Sequence, residues 1–243
     1  MFSGLGDLKS FGQSARDLNS DAEDYGAGKA MTIAWYGYDS PDLLGETAMG
    51  SAEEGAATLT SSLRGLDLAV SPRVTTTVIG HSYGSTTAFL AVGSAADNLG
   101  VDRLVSVGSA GVPDQLYAQN REYAPVSGTM TLDVNMDYSG TQAYGTRAPW
   151  DLVARFGQYS SSGHTVNPES LPGAISFESD GGYVPALDGA GEEWAVETPG
   201  HASHSGGGNT GLESWQKDNG YLSEGTESFR NVARIVATGE PVN

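Results

Sequence analysis

The chain has 243 residues, 30 acidic against 12 basic, and a formal net charge of −18. A single domain of that size buries most of its apolar surface without staples, and with no cysteine there is no disulfide framework, thiolate metal site or thiol chemistry. The acidity disfavours nucleic acid and anionic membrane surfaces as partners, because both need a basic face.

Phe11, Ala15, Leu18, Ala22 and Tyr25 recur at helical spacing and predict a helix over 11–25, closed by the AGKA that follows. The apolar run MTIAWYG (31–37) reads as a buried strand, and Pro41 and Gly45 punctuate a loop after it. Ala48, Ala52, Ala56, Leu59 and Leu63 mark a second helix, ending near Gly65. The β-branched stretch 71–80 reads as a strand, 84–96 as a helix and 102–109 as another strand. TMTLDVNMD (129–137), TQAYGTR (141–147) and 191–201 are further strand candidates. TESFRNVARIVATG (226–239) is an amphipathic helix that Gly239 stops.

Alternation of this kind predicts an α/β fold: a mostly parallel sheet with helices on both faces, in one domain over 1–243. No apolar run reaches the roughly 18 residues of a membrane span. The start, MFSGLGDLKS, lacks the basic and apolar regions of a signal peptide, so a cytoplasmic location is expected.

The chemistry points to Gly80-His81-Ser82-Tyr83-Gly84, a G-x-S-x-G. In a chain with 34 glycines the pattern alone is weak. Its context is stronger, because a β-branched strand arrives at Gly80 and a helix leaves at Gly84. A nucleophile elbow needs that strand–turn–helix arrangement, with glycines on either side giving room. Ser82 would then stand above the carboxyl edge of the sheet, and the Tyr83 amide would face a developing oxyanion.

A serine hydroxyl needs a base. There are four histidines. His81 adjoins the serine and is expected to pack or to shape the turn, and His164 reads as a solvated loop residue. His201 and His204 follow a strand and precede the last helix, and both satisfy the chain order Ser, acid, His. The acid should follow a strand end between them. Asp151 is preferred, with Asp137 second and the bland role of helix N-cap as the alternative for Asp151. A metal site built on His201 and His204 is disfavoured, because H-x-x-H without the helical Glu is a weak signal. Tyr36, Tyr38, Trp150 and Phe156 are candidates to line an apolar pocket, though core packing is the plainer reading.

GLGD, AWYGYDSP, VIGHSYGST, VDRLVSVGSAGV, RAPWDLVA and TESFRNVARIVATG occur in that order. With them the chain resembles an actinobacterial α/β-hydrolase family catalogued as a domain of unknown function. The resemblance implies an α/β-hydrolase fold and a Ser-Asp-His triad, with Ser82 as nucleophile and Asp151 as acid. It implies His204 as base, with His201 the second choice. It also implies that the turn at Gly4–Gly6 supplies a second oxyanion amide, from Leu5 or Gly6. Two departures stand out. The strand expected before that turn is truncated, and residues 205–225 form an insert that would act as a flap hinged at Gly206–Gly208. The expectation is a serine hydrolase acting on a small-molecule or acyl substrate without cofactor or metal. The alternative is a catalytically weakened relative that binds a ligand or a protein.

Overall fold

The computed structural model describes residues 5–38, 49–118, 140–160, 163–204 and 219–243. Asp137 and the strand candidate 129–137 lie outside them, as do residues 205–218 of the insert.

The chain opens on α1 (Leu5–Ala22), which runs into a π-helical turn over Glu23–Ala27. Gly26 and Gly28, at φ +99° and +78°, end it. Then come α2 (Gly50–Ala69), β1 (Thr77–His81), α3 (Tyr83–Gly93), β2 (Arg103–Val107) and α4 (Gln115–Ala118). β3 (Gln142–Thr146), α5 (Leu152–Ser160), a 3-10 turn at Pro168–Ser170 and β4 (Ile175–Ser176) follow. The chain finishes with β5 (Gly182–Pro185), β6 (Glu192–Ala195) and α6 (Glu227–Thr238).

Four strands form one parallel sheet in the order β1-β2-β3-β4, and β5 and β6 pair separately as an antiparallel hairpin. Parallel strands need crossovers, and α3 and α5 provide two of them. Period-two alternation splits the sheet's side chains between two cores. Leu104 and Ala143 point into a core shared with Leu59 and Leu63 of α2 and Phe89 and Val92 of α3. Val105, Val107 and Tyr144 point the other way, against Leu18 of α1 and Phe229, Val232 and Ile235 of α6. The sheet therefore lies between two helical layers. Where α2 crosses α3, a Cβ on Gly55 would lie 2.9 Å from Thr87 Cγ2, so this crossing needs a glycine.

Local chemistry sets the ends of α6. Thr226 caps its start, accepting from the Phe229 amide at 3.2 Å. Gly239 takes the left-handed conformation at its end. Arg103 of β2 donates to the last carbonyls, Ile235 O at 2.6 Å and Val236 O at 2.9 Å, where a cation also meets the negative end of the helix dipole.

The run 31–37 departs from expectation. It joins no strand ladder, and Met31 and Ile33 are 74% and 58% exposed. An apolar run becomes a buried strand only where a sheet edge accepts its backbone groups, and among the described residues none does. Trp35 and Tyr38 instead stack at 6.0 Å and pack against the α2–α3 core. The 71–80 strand shortens to β1, and the strand at 191–201 shortens to β6, in the hairpin rather than the main sheet.

Candidate active site

β1 ends at His81, and α3 begins at Tyr83. Ser82 alone makes the turn between them, at φ 52° and ψ −131°. This is backbone that L residues rarely enter, and it costs about 1–3 kcal/mol. The surroundings hold it there. Its amide donates to Val107 O at 3.1 Å. Its carbonyl accepts from the Ser85 amide at 3.0 Å and from Ser85 Oγ at 2.6 Å. The two flanking glycines are not equivalent. A Cβ on Gly80 would stand 2.5 Å from Ser85 Cα, whereas one on Gly84 would meet nothing within 4 Å. Only Gly80 is needed for strand and helix to approach.

The ring beside Ser82 is that of His201. Its Nε2 lies 2.7 Å from Ser82 Oγ, and its Nδ1 lies 3.0 and 2.9 Å from the two carboxylate oxygens of Asp151. An ionised carboxylate only accepts, so Nδ1 carries the proton and Nε2 presents its lone pair to the serine hydroxyl. The ring between Ser82 and Asp151 is therefore the second choice from the sequence, His201, and not the first, His204. His204, three residues on, hydrogen-bonds Ser203 Oγ through Nδ1 at 2.8 Å and meets the Phe11 ring edge-on at 5.6 Å. Both histidines are buried.

Asp151 stands at the head of α5 and does two things at once. It accepts from the Ala154 amide at 2.8 Å, as an N-cap does, while facing His201. A helix N-cap and a partner to a histidine ring are compatible in one carboxylate. Burial works to raise its pKa, but the His201 ring and the hydrogen bonds from His201, Ala154 and Tyr221 outweigh it and hold the carboxyl below its ordinary value.

Tyr221 was not foreseen. It is fully buried, donates its hydroxyl to Asp151 Oδ2 at 2.8 Å and accepts from the Ala148 amide at 2.7 Å. Burial and the adjacent carboxylate push its pKa well above the ordinary tyrosine value, so it remains a donor. It belongs to the stretch expected to be a flap. Yet residues 221 and 222 are tied down, the Tyr221 amide to Ala202 O at 2.9 Å and the Leu222 amide to Ser203 O at 2.6 Å. One signal for Tyr221 lies elsewhere in the chain. Gly108, at φ +54°, would carry a Cβ 2.6 Å from the tyrosine ring and 2.9 Å from Asp151 Oδ2.

His164 departs from its reading, and His81 has a partner beyond the turn. His81 Nε2 sits 2.7 Å from the His201 carbonyl. His164 is fully buried rather than solvated, with Nδ1 2.8 Å from Ala110 O. Trp150 and Phe156 are 65% and 62% exposed rather than packed in the core. Tyr83 is buried and opens α3, while Leu5 and Gly6 open α1 rather than a turn. Amides in a first helical turn lack intrahelical acceptors.

Both ring nitrogens of His201 are engaged, by Ser82 and Asp151. Among the described residues three carboxylates come together, Glu178, Asp180 and Glu227. The buried member, Glu227, is already bound to the Gly181 amide at 2.8 Å and to Asn243 at 2.7 Å, as a structural anchor would be. No helix among these residues is long and apolar enough to cross a membrane.

A parallel sheet between helical layers, with a strained serine at a strand–helix turn, is an α/β-hydrolase fold, and an alpha/beta hydrolase family profile matches residues 8–122. That span contains Ser82 and stops short of Asp151 and His201. Two Mycobacterium tuberculosis proteins are similar: Uncharacterized protein MT2140 of strain CDC 1551 / Oshkosh and Uncharacterized protein Rv2079 of strain ATCC 25618 / H37Rv. Each is 30% identical over 213 residues, which cover 84% of this chain and 28% of the relative. The chain thus spans less than a third of the length of these relatives. No solved structure matches it.

Proposed function

We propose that the protein is a serine hydrolase that cleaves an ester, thioester or amide through an acyl-enzyme. The observation that carries this reading is the unbroken hydrogen-bonded line from Ser82 Oγ through the His201 ring to Asp151. Ser82 Oγ attacks the substrate carbonyl carbon while His201 Nε2 takes its proton. Asp151 keeps the ring in the right tautomer and stabilises the imidazolium. The tetrahedral intermediate collapses, the bond to the leaving group breaks, and His201 returns the proton to that group. Water then repeats the sequence on the acyl-serine, releasing the acid and restoring Ser82.

The oxyanion would be met by the Tyr83 amide at the positive end of α3. The first amides of α1, at Leu5 or Gly6, are the candidate second donor. Removing one such donor typically costs about 100- to 1000-fold in rate. The substrate is a small molecule or an acyl group, and the chemistry requires no cofactor.

The test is covalent labelling with a fluorophosphonate probe. The protein is expected to be labelled and Ser82→Ala to be unlabelled. A folded parent protein that the probe leaves untouched would refute the hydrolase reading and favour a binding module on the same fold.

A further inference from the structure

His81 ends β1 and is joined by one peptide bond to Ser82. Its Nε2 lies 2.7 Å from the backbone carbonyl of His201, 120 residues away. A carbonyl only accepts, so Nε2 carries a proton and donates it. Burial first, and then the neighbouring His201, lower the His81 pKa well below its ordinary value, so the ring is neutral. The two imidazoles lie 4.9 Å apart, and the His81 ring also meets the Tyr221 ring at 5.8 Å.

The segment that carries His201 is fastened on both sides of it. Thr198 donates to Ser179 O at 2.9 Å, and Ala202 and Ser203 accept from Tyr221 and Leu222. At position 201 itself the backbone is held by His81. A general base works only when its nitrogen meets the nucleophile in line, and a misplacement of about 1 Å can cost about 100-fold. A bond from the residue beside the nucleophile to the backbone of the base removes that freedom.

We propose that His81 is a positioning residue: its Nε2–H holds the His201 carbonyl, so that the nucleophile's strand and the base's loop move as one body. The inference rests on the hydrolase reading above. It also accounts for the residue type. The donor must reach a carbonyl across the site and must carry no charge, because His201 becomes a cation in every turnover. A lysine or arginine would set a fixed positive charge about 5 Å from that cation and oppose it. Glutamine is another side chain with a neutral N–H and comparable reach.

The test compares His81→Gln, which keeps a neutral N–H, with His81→Met, which has nearly the same shape and lacks the donor. For each, the maximal rate of inactivation by the fluorophosphonate is separated from the probe concentration that half-saturates it. The glutamine variant is expected within about threefold of the parent in maximal rate, and the methionine variant about tenfold or more below it, with half-saturation unchanged in both. If the methionine variant is not soluble, His81→Phe replaces it, keeping a ring without the donor. Equal rates in the two variants, or a faster methionine or phenylalanine variant, would show that His81 only packs, and would overturn the proposal. A parent protein that is not labelled at all would refute the hydrolase reading itself, and this inference with it.

Discussion

Ser82 is held in a conformation that its own side chain does nothing to favour, so the strain must be met by its neighbours. Val107 O, the Ser85 amide and Ser85 Oγ meet it from β2 and α3. The same economy governs Asp151, whose buried charge is tolerated because three neighbours donate to it. Tyr221 is the partner whose loss can be read most cleanly. Tyr221→Phe removes the donor to Asp151 and leaves the buried Ala148 amide without its acceptor. An orphaned buried group of that kind costs about 1–3 kcal/mol. The expected outcome is a stability loss of that size in urea unfolding, with labelling slowed by about tenfold as Asp151 loses one of the bonds that fix it. Unchanged stability and rate would show that the hydroxyl is dispensable.

At the scale of elements, α1, α6 and the β5–β6 hairpin meet at Arg230. It reaches Asp21 of α1 at 3.2 Å and also Glu193 of the hairpin. Tyr25 adds a bond from its hydroxyl to Pro185 O at 3.1 Å. The pairing does not make Asp21 a comfortable anion. Burial, opposed by Arg230 and helped by Glu224 and Asp24, pushes its pKa from 3.8 up to about 6. The folded state therefore binds this proton more tightly than the unfolded chain does. Its contribution is full below about pH 4 and is lost as the pH rises through about 6. Asp21→Asn, neutral at every pH, is expected to stabilise the protein at about pH 8 by on the order of 1–3 kcal/mol, with the gain fading near pH 4. Urea midpoints at the two pH values check this. A variant less stable than the parent at pH 8 would mean that the ion pair outweighs the desolvation.

For the molecule as a whole, the alternation of helix and strand was legible in the sequence because it is written locally. The stripe of α2, the β-branched run of β1 and the Gly239 stop of α6 each depend on neighbours within a few residues. The places of Ser82 and Asp151 in the fold were legible for a related reason: each sits between the end of a strand and the start of a helix, and that junction leaves a local mark. What the sequence did not carry was contact at long range. Residues 31–37 have the apolar content of a strand, but pairing depends on an edge elsewhere. His201 and His204 lie in one loop with similar neighbours, and what tells them apart is contact with His81, 120 residues away, and Asp151, 50 residues away, both made by His201. Tyr221 sits among glycines and serines that read as a loose insert, while its partners, Asp151 and Ala148, are about 70 residues back.

The measurement that tests this account most directly is fluorophosphonate labelling of the parent protein beside His201→Ala and His204→Ala. If His201 is the base, His201→Ala is expected to slow labelling by about 1000-fold or more, and His204→Ala to remain within about threefold of the parent. The reverse pattern, with His204→Ala silent and His201→Ala reactive, would contradict the account, because the ring lying between Ser82 and Asp151 would then not be the one that takes the proton.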